Sequence, residues 1–172
     1  SQILYKQGRY NEMLAYAPAL MDSANTTGVK RLPEIARLIG DAYYRESKYT
    51  EALPYLERYH AETPKAERSR EDFFQLGYCY YQTGDYEAAL ENLSEASKED
   101  DLLAQSATYH MADCYLKLDK KNYARTAFKE ASELDFSMEI KEDALFNYAK
   151  LSFELSFNPF HEAITAFETY LE

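Results

Sequence analysis

The chain of 172 residues contains no tryptophan, and it has only five glycines, five prolines and two cysteines. So few chain breakers argue against an all-β fold with many turns and against a disordered chain rich in proline and glycine. Two cysteines cannot form a disulfide framework. The uninterrupted apolar runs are a few residues long, which is too short to cross a bilayer.

Basic residues are also scarce, with 19 Lys and Arg against 30 Asp and Glu and a formal charge of −11. This balance argues against nucleic acid and anionic membrane surfaces as partners, because both require a basic face. The chain is instead rich in apolar residues, at 46%, and in aromatic residues, with 17 Tyr and 9 Phe. Its length and composition are typical of one globular domain, residues 1–172.

The sequence repeats with a period of 35 to 39 residues. A triad of apolar residues at i, i+4 and i+7 recurs five times, and it marks one stripe of an α-helix. The triads are Met13/Ala17/Leu20, Ala52/Leu56/Tyr59, Ala89/Leu93/Ala96, Ala124/Phe128/Ala131 and Ala163/Phe167/Tyr170. A small residue precedes each of the last four triads, and these small marks are Gly40, Gly77, Ala112 and Ala149. Two helices per period, each with one apolar stripe, must stack on their neighbours to be buried.

This spacing resembles the tetratricopeptide repeat, a helix-turn-helix unit of 34 residues. The clearest unit carries Leu76, Gly77 and Tyr80 at the spacing of that pattern, although no repeat has its leading Trp. The resemblance implies an all-α fold, a right-handed α-solenoid of antiparallel helix pairs. The repeats are expected at residues 33–66, 70–103, 105–138 and 142–172, the last with a two-residue insertion, after a truncated repeat at 1–27. The runner-up is another antiparallel helical solenoid with similar packing.

The same pattern predicts where the helices lie. We expect them near residues 1–7, 10–24, 33–46, 49–62, 68–83, 86–98, 104–118, 121–134, 139–156 and 160–171. Residues 157–160 are expected to form a turn, because Asn158-Pro159 is typical of a helix start.

The sequence shows no motif for catalysis, cofactors or metals. Its three histidines lie 50 and 51 residues apart, which matches no helical metal site. Phosphate-binding loops and nucleophile elbows are absent from the sequence. We therefore expect no enzyme, cofactor or metal, and we expect Cys79 and Cys114 to be buried free thiols.

In proteins that this chain resembles, the first helices of successive repeats line a concave groove that holds a peptide or a partner's helix. Carried over by position, the candidate groove residues are enriched in aromatic side chains, which supply contact area at modest entropy cost. They are Arg37, Asp41, Tyr44, Phe74, Tyr78, Tyr81, Tyr109, Asp113, Lys117, Phe146 and Lys150. The alternative for these rings is simple packing between helices.

The clamp by which related co-chaperones hold a chaperone's C-terminal carboxylate is not reproduced here. The matching positions are Arg37, Asp41, Gln75, Ser106 and His110. Only Arg37 keeps the required charge, and Asp41 would repel a carboxylate.

The resemblance implies a non-catalytic scaffold for a protein or peptide partner that the sequence does not identify. Two alternatives stay open at this point, an architectural spacer within a long multi-repeat protein and a regulatory segment attached to an enzyme elsewhere in its chain. The last repeat resembles repeats of large bacterial cell-envelope proteins, which favours the bacterial periplasm or envelope. Two unpaired thiols fit the cytoplasm equally well.

The chain is expected to be a fragment of a longer array, because solenoids of this kind need polar terminal caps. The last predicted helix carries Ile164, Phe167 and Leu171 with nothing after it to pack upon. An uncovered apolar end would favour end-to-end self-association.

Overall fold

The computed structural model describes residues 2–27 and 32–171. It divides into two compact units, Ser1–Glu95 and Ala96–Glu172. Within the described residues every regular element is helical. The α-helices are α1 (Gln2–Lys6), α2 (Tyr10–Leu14), α3 (Ala17–Thr27), α4 (Leu32–Arg45), α5 (Tyr49–Glu62), α6 (Arg70–Thr83), α7 (Tyr86–Ala96), α8 (Leu102–Lys117), α9 (Lys121–Glu133) and α10 (Met138–Leu171). A short 3-10 turn, Lys65–Glu67, precedes α6. The all-α prediction is confirmed.

The helices pair at the small residue that marks each repeat. Gly40 of α4 lies so close to α5 that a Cβ there would be 2.7 Å from the Leu56 side chain and 3.2 Å from its backbone nitrogen. Gly77 of α6 approaches Leu93 of α7 in the same way, at 2.9 and 3.0 Å. In the second unit, Ala112 and Phe128 are both buried in one cluster. The residue 16 positions after the mark therefore packs onto it in each of these pairs.

The turn between paired helices uses one left-handed residue five positions before the triad. These residues are Gly8 (φ 69°), Ser47 (φ 56°), Gly84 (φ 90°) and Asp119 (φ 56°). After each, the next backbone N–H donates to a carbonyl five residues back, as in Lys48 to Tyr43 at 2.9 Å and Lys120 to Tyr115 at 2.8 Å. This is the Schellman arrangement that ends a helix and satisfies its last carbonyls.

The predicted helix at 10–24 is wrong, because the structure contains two helices there. α2 ends at Leu14, and α3 begins at Ala17. Pro18 lacks the N–H that a continuous helix would donate to the Leu14 carbonyl, and its ring would clash with that carbonyl. α3 then continues to Thr27, beyond the predicted end.

The predicted turn at 157–160 is also wrong, because α10 runs without interruption from Met138 to Leu171. A proline removes one hydrogen bond from a helix but does not by itself end it. Pro54 lies inside α5 in the same manner. Residues 157–160 contain no glycine that could adopt a left-handed conformation freely.

The side chain of Gln105 ties α8 to the turn between α9 and α10. It is fully buried, and its Nε2 donates to the carbonyls of Ala131 (3.2 Å), Leu134 (2.6 Å) and Ser137 (3.2 Å). Its Oε1 accepts from the Ser137 backbone N–H at 2.7 Å. One amide thus satisfies backbone groups at the end of one helix and the start of the next.

Other expectations concern single side chains. Cys79 and Cys114 are both buried and free, as predicted, and burial raises the pKa of each thiol to about 12. Ile164 is 52% exposed, as expected for the last helix. The side chains of Phe167 and Leu171 lie outside the described residues.

The exposure of Ala89 shows whether the paired helices α6 and α7 approach closely. Ala89 has no exposed surface, as the repeat pattern predicts. The change Ala89→Leu should lower the free energy of unfolding by about 1–3 kcal/mol, because three extra carbons must be forced into a filled space. Ala61→Leu, on an exposed position of α5, is the control and should change it by less than about 0.5 kcal/mol. Urea unfolding followed by circular dichroism measures both, and equal effects would contradict the assigned packing.

Gln105→Met keeps the length of the side chain but removes its polar atoms. The Ser137 N–H and three carbonyls then lose a buried partner, so the free energy of unfolding should fall by about 1–3 kcal/mol or more. Urea unfolding provides the measurement. A variant as stable as the parent would show that water or other groups replace the amide.

Candidate interaction surface

Six candidate residues lie in the first unit, at matching positions of α4 and α6. Arg37, Asp41 and Tyr44 are spaced four and three residues apart on α4, and Phe74, Tyr78 and Tyr81 repeat that spacing on α6. Each set therefore lies along one face of its helix. The two helices are in contact.

The aromatic members form one cluster with Tyr78 at its centre. The ring of Tyr78 stacks on Phe74 at 5.9 Å between centroids and meets Tyr81 at 5.8 Å. It makes edge-on contacts with Tyr44 at 5.9 Å and Tyr49 at 5.5 Å. We call these five residues the Tyr78 cluster. All of them are half-buried, so the rings pack together and each keeps part of its surface exposed.

Burial keeps these phenols protonated. It raises the pKa of Tyr44 and Tyr78 above the ordinary value, with neighbouring tyrosines adding to the effect. The Tyr78 hydroxyl also accepts a hydrogen bond from Gln82 Nε2 at 2.8 Å. The cluster thus presents neutral rings with polar edges.

Asp41 lies beneath this surface and is only 5% exposed. Its carboxylate accepts hydrogen bonds from the Tyr5 hydroxyl, from Arg45 Nε at 2.7 Å and from Gln75 Nε2 at 2.6 Å. One buried carboxylate therefore links α1, α4 and α6. Removing any one of these donors would leave a buried acceptor less well satisfied.

Asp72 has a corresponding role at the start of α6 and is 3% exposed. It accepts from Arg37 Nε at 2.5 Å and Tyr59 OH at 3.3 Å, and its reciprocal bonds with Ser69 form a capping box. Burial alone would raise the pKa of Asp72, but the Ser69 backbone N–H and the Arg37 guanidinium outweigh it and hold the pKa below its ordinary value. The ion pair fixes α4 against α6.

Two candidate binding residues, Arg37 and Asp41, are therefore committed to ion pairs within the fold. Gln75, which matches a clamp position, donates to Asp41 as well. The Arg37 side chain is still 47% exposed, so its outer edge faces solvent. This arrangement supports the sequence argument against a carboxylate clamp, because these groups already bind one another.

Five candidate residues lie in the second unit. The Tyr109 hydroxyl donates to the Asp143 carboxylate, and the Tyr109 ring meets Phe128 edge-on at 5.6 Å. Asp113 is half-buried, and Tyr109 is half-buried too. The remaining three are exposed on α8 and α10, namely Lys117, Phe146 and Lys150.

The sequence analysis missed Tyr49, which belongs to the Tyr78 cluster. A signal for it exists, because a tyrosine recurs two residues after the left-handed turn residue as Tyr10, Tyr49 and Tyr86. Each meets the tyrosine that lies three residues before the turn residue, at centroid distances of 5.5, 5.9 and 6.3 Å. Tyr44–Tyr49 and Tyr81–Tyr86 are two of these pairs.

His60 forms a hydrogen bond with the backbone of Asp72. Its Nδ1 lies 3.0 Å from Arg68 Nη1, and because a guanidinium only donates, Nδ1 accepts and Nε2 carries the proton. That Nε2–H donates to the Asp72 carbonyl at 3.2 Å. The ring also packs edge-on against Phe73 at 5.1 Å. The contacts therefore select the neutral form of His60.

Comparison with known proteins agrees with this architecture. A family model described as "Anaphase-promoting complex, cyclosome, subunit 3" matches residues 45–131, just over half of the chain. The chain belongs to this family. Its helix pairs are tetratricopeptide-like repeats, as the sequence pattern predicts. No curated protein matches the chain in sequence.

Solved structures show the same fold. MamA MSR-1 is 21% identical, covers 91% of this chain and 92% of its own, and has a TM-score of 0.61. A second similar structure is a Podosopora anserina protein described as a kinesin light chain with nearly identical TPR-like repeats. It is 14% identical, the match covers 98% of this chain and 88% of that protein's chain, and the TM-score is 0.61. MamA AMB-1 is 21% identical, the match covers 87% of this chain and 91% of that protein's chain, and the TM-score is 0.59. At these identities the likeness concerns the fold alone.

Folds of this type generally mediate protein–protein interaction and are typically non-catalytic scaffolds. In the part of the chain that the structure describes, no group of His, Cys, Asp and Glu side chains could hold a metal ion. Across the same residues, no helix combines the length and apolar character needed to cross a membrane.

Two half-buried histidines, His60 and His110, determine how the stability is expected to depend on pH. Burial, reinforced by Arg68 at His60, lowers the pKa of His60 and of His110 to about 4. The unfolded chain binds protons near the ordinary value of about 6.5, so it takes up more protons than the folded chain between pH 6.5 and 4. The free energy of unfolding should therefore fall as the pH falls through that window.

Urea unfolding at pH 7.0 and 4.5 measures this loss, and NMR titration of the imidazole carbons follows each ring. The double variant His60→Gln/His110→Gln is the control and should lose less stability between the two pH values. A titration midpoint near 6.5 for either ring would contradict the assignment.

Proposed function

We propose that the chain is a protein-interaction module that binds a peptide or a partner's helix over the Tyr78 cluster. The observation that carries this proposal is the position of Tyr78, whose ring contacts four aromatic side chains and is still half-buried only. Rings of this kind supply large contact areas with little loss of side-chain freedom.

The surface is also held in place before a partner arrives. The ion pairs Arg37–Asp72 and Arg45–Asp41 and the Gln75–Asp41 hydrogen bond fix α4 and α6. A preorganised surface loses less conformational entropy on binding, so more of the contact energy contributes to affinity. In this proposal Arg37 and Asp41 act by positioning the aromatic rings.

The charges of this surface cancel locally, although the whole chain carries −11. Each exposed guanidinium is paired with a buried carboxylate beneath it. Recognition should therefore depend on ring contacts more than on net charge. The partner segment is expected to bring apolar or aromatic side chains that insert between the tyrosines.

The test begins with a peptide display library selected against the whole chain. For a selected peptide, Tyr78→Ala should weaken binding by about 1–3 kcal/mol, as central aromatic anchors do, which is about 5- to 150-fold in Kd. Tyr78→Phe, which keeps the ring, should bind nearly as well as the parent.

The matched control is Tyr123→Ala, because Tyr123 is 64% exposed on α9 and is not part of the cluster. Calorimetry gives the affinities, and circular dichroism checks that each variant is folded. Equal binding by the Tyr78→Ala and Tyr123→Ala variants would refute the proposal. Affinity should also change by less than about threefold between low and high salt, because exposed charge pairs are screened and ring contacts are not.

A further inference from the structure

A chain of hydrogen bonds runs through the Tyr78 cluster and ends in a donor. Gln82 Nε2 donates to the Tyr78 hydroxyl at 2.8 Å. Burial raises the pKa of Tyr78, and the Tyr49 hydroxyl, which accepts the Tyr78 proton, raises it further. The Tyr49 oxygen is therefore an acceptor within the cluster. Its own O–H group is left to donate to another molecule.

Tyr44 supplies a second hydroxyl beside that of Tyr49. The two rings meet edge-on at 5.9 Å between centroids. Across the described residues, no hydrogen bond uses the Tyr44 hydroxyl, and the Tyr49 hydroxyl bonds to that of Tyr78 alone. Neither oxygen is enclosed by the protein. Both O–H groups can therefore donate to acceptor atoms of a ligand.

The carboxylates beneath the cluster are enclosed and already hydrogen-bonded. Asp41 and Asp72 are 5% and 3% exposed, and each accepts from three side chains. Arg37 and Arg45, which pair with them through Nε, have side chains that are each 47% exposed. Because a guanidinium has five N–H donors, its outer N–H groups add to the donors of this surface. A ligand that fits should bring acceptors and few donors.

The polyproline II conformation meets this requirement better than a helix or a strand does. The carbonyls of an α-helix are bonded within the helix, and an extended strand brings an N–H group with almost every carbonyl. A proline-rich segment has carbonyls without N–H groups and forms no internal hydrogen bonds. Its conformation also exists before binding, so little entropy is lost. Grooves lined by aromatic side chains recognise such segments in several protein folds.

We propose that the Tyr78 cluster binds a proline-rich segment in the polyproline II conformation. This inference rests on the proposed function and names the chemistry of its ligand. Proline rings pack on the exposed parts of Tyr44, Tyr49 and Tyr78, and carbonyls of the segment accept hydrogen bonds from the Tyr44 and Tyr49 hydroxyls. Proline is uncharged, which matches a surface whose exposed guanidiniums are each neutralised by a buried carboxylate.

The first test compares three uncharged peptides of equal length with blocked ends. They are polyproline, the same peptide with every second proline replaced by alanine, and a stapled helix of alanine, glutamine and leucine. NMR titration of the whole chain measures the Kd of each. Polyproline should bind, and the alanine replacements should raise its Kd at least about fivefold, because they add N–H groups and loosen the conformation. A helix that binds as tightly as polyproline would overturn the proposal.

The second test removes single hydroxyls and keeps the rings. Tyr49→Phe and Tyr44→Phe should each raise the Kd for polyproline by about 3- to 10-fold, the loss expected for one hydrogen bond. Tyr123→Phe is the matched control, because Tyr123 is 64% exposed on α9, and it should bind polyproline like the parent. Equal Kd values for the Tyr49→Phe and Tyr123→Phe variants would refute the role of the hydroxyl.

The variant Tyr78→Ala distinguishes failure of this inference from failure of the proposed function. If the stapled helix binds more tightly than polyproline and Tyr78→Ala weakens that binding, the surface is correct and the proline-rich ligand is wrong. If polyproline binds with a Kd that Tyr78→Ala leaves unchanged, it binds elsewhere and this inference is wrong. If Tyr78→Ala weakens the binding of no peptide, including those selected from the display library, both are wrong.

Discussion

Close contact between paired helices at one small residue per repeat is the constraint on which the rest of the structure depends. At Gly40 and Gly77 a methyl group would already overlap the leucine of the partner helix. The same contact sets which face of each first helix is buried, and thereby which face is left for other contacts. Tyr44 and Tyr78 follow these glycines by four and one residues, and Tyr44 packs against the buried cluster that contains Leu56. The candidate surface therefore lies directly beside the small residue at which the helices pack.

Most of the fold between α4 and α9 follows from the sequence, because each triad and each small mark indicates the buried stripe of one helix. The errors come from prolines, whose effect depends on their surroundings. Pro18 accompanies a break between α2 and α3, whereas Pro54 lies within α5, and α10 continues through residue 159. A proline removes the same hydrogen bond in each case. Packing of the neighbouring turns decides whether the helix ends, and the local sequence does not report that packing.

The aromatic part of the candidate surface was predictable by position, but the polar contacts beneath it were not. Tyr5–Asp41, Arg37–Asp72 and Asp41–Gln75 join residues 36, 35 and 34 positions apart, and in the second unit Tyr109–Asp143 spans 34. Each bond spans about one repeat and joins the first helices of neighbouring repeats. Considered alone, Arg37 and Asp41 look like charges that bind a partner. About one repeat away, however, Arg37 has Asp72 to pair with, and Asp41 has Tyr5 and Gln75 as hydrogen-bond donors.

The last repeat shows how a small change in spacing alters what a repeat can do. In a regular repeat the covering residue follows the mark by 16 positions, which on a straight helix would put it nearly opposite the mark. A turn is then the only way to bring the two together within one chain. Two inserted residues bring the covering residue back to the side of the mark after five full turns. The same sequence pattern that elsewhere requires a helical hairpin here also permits one long helix.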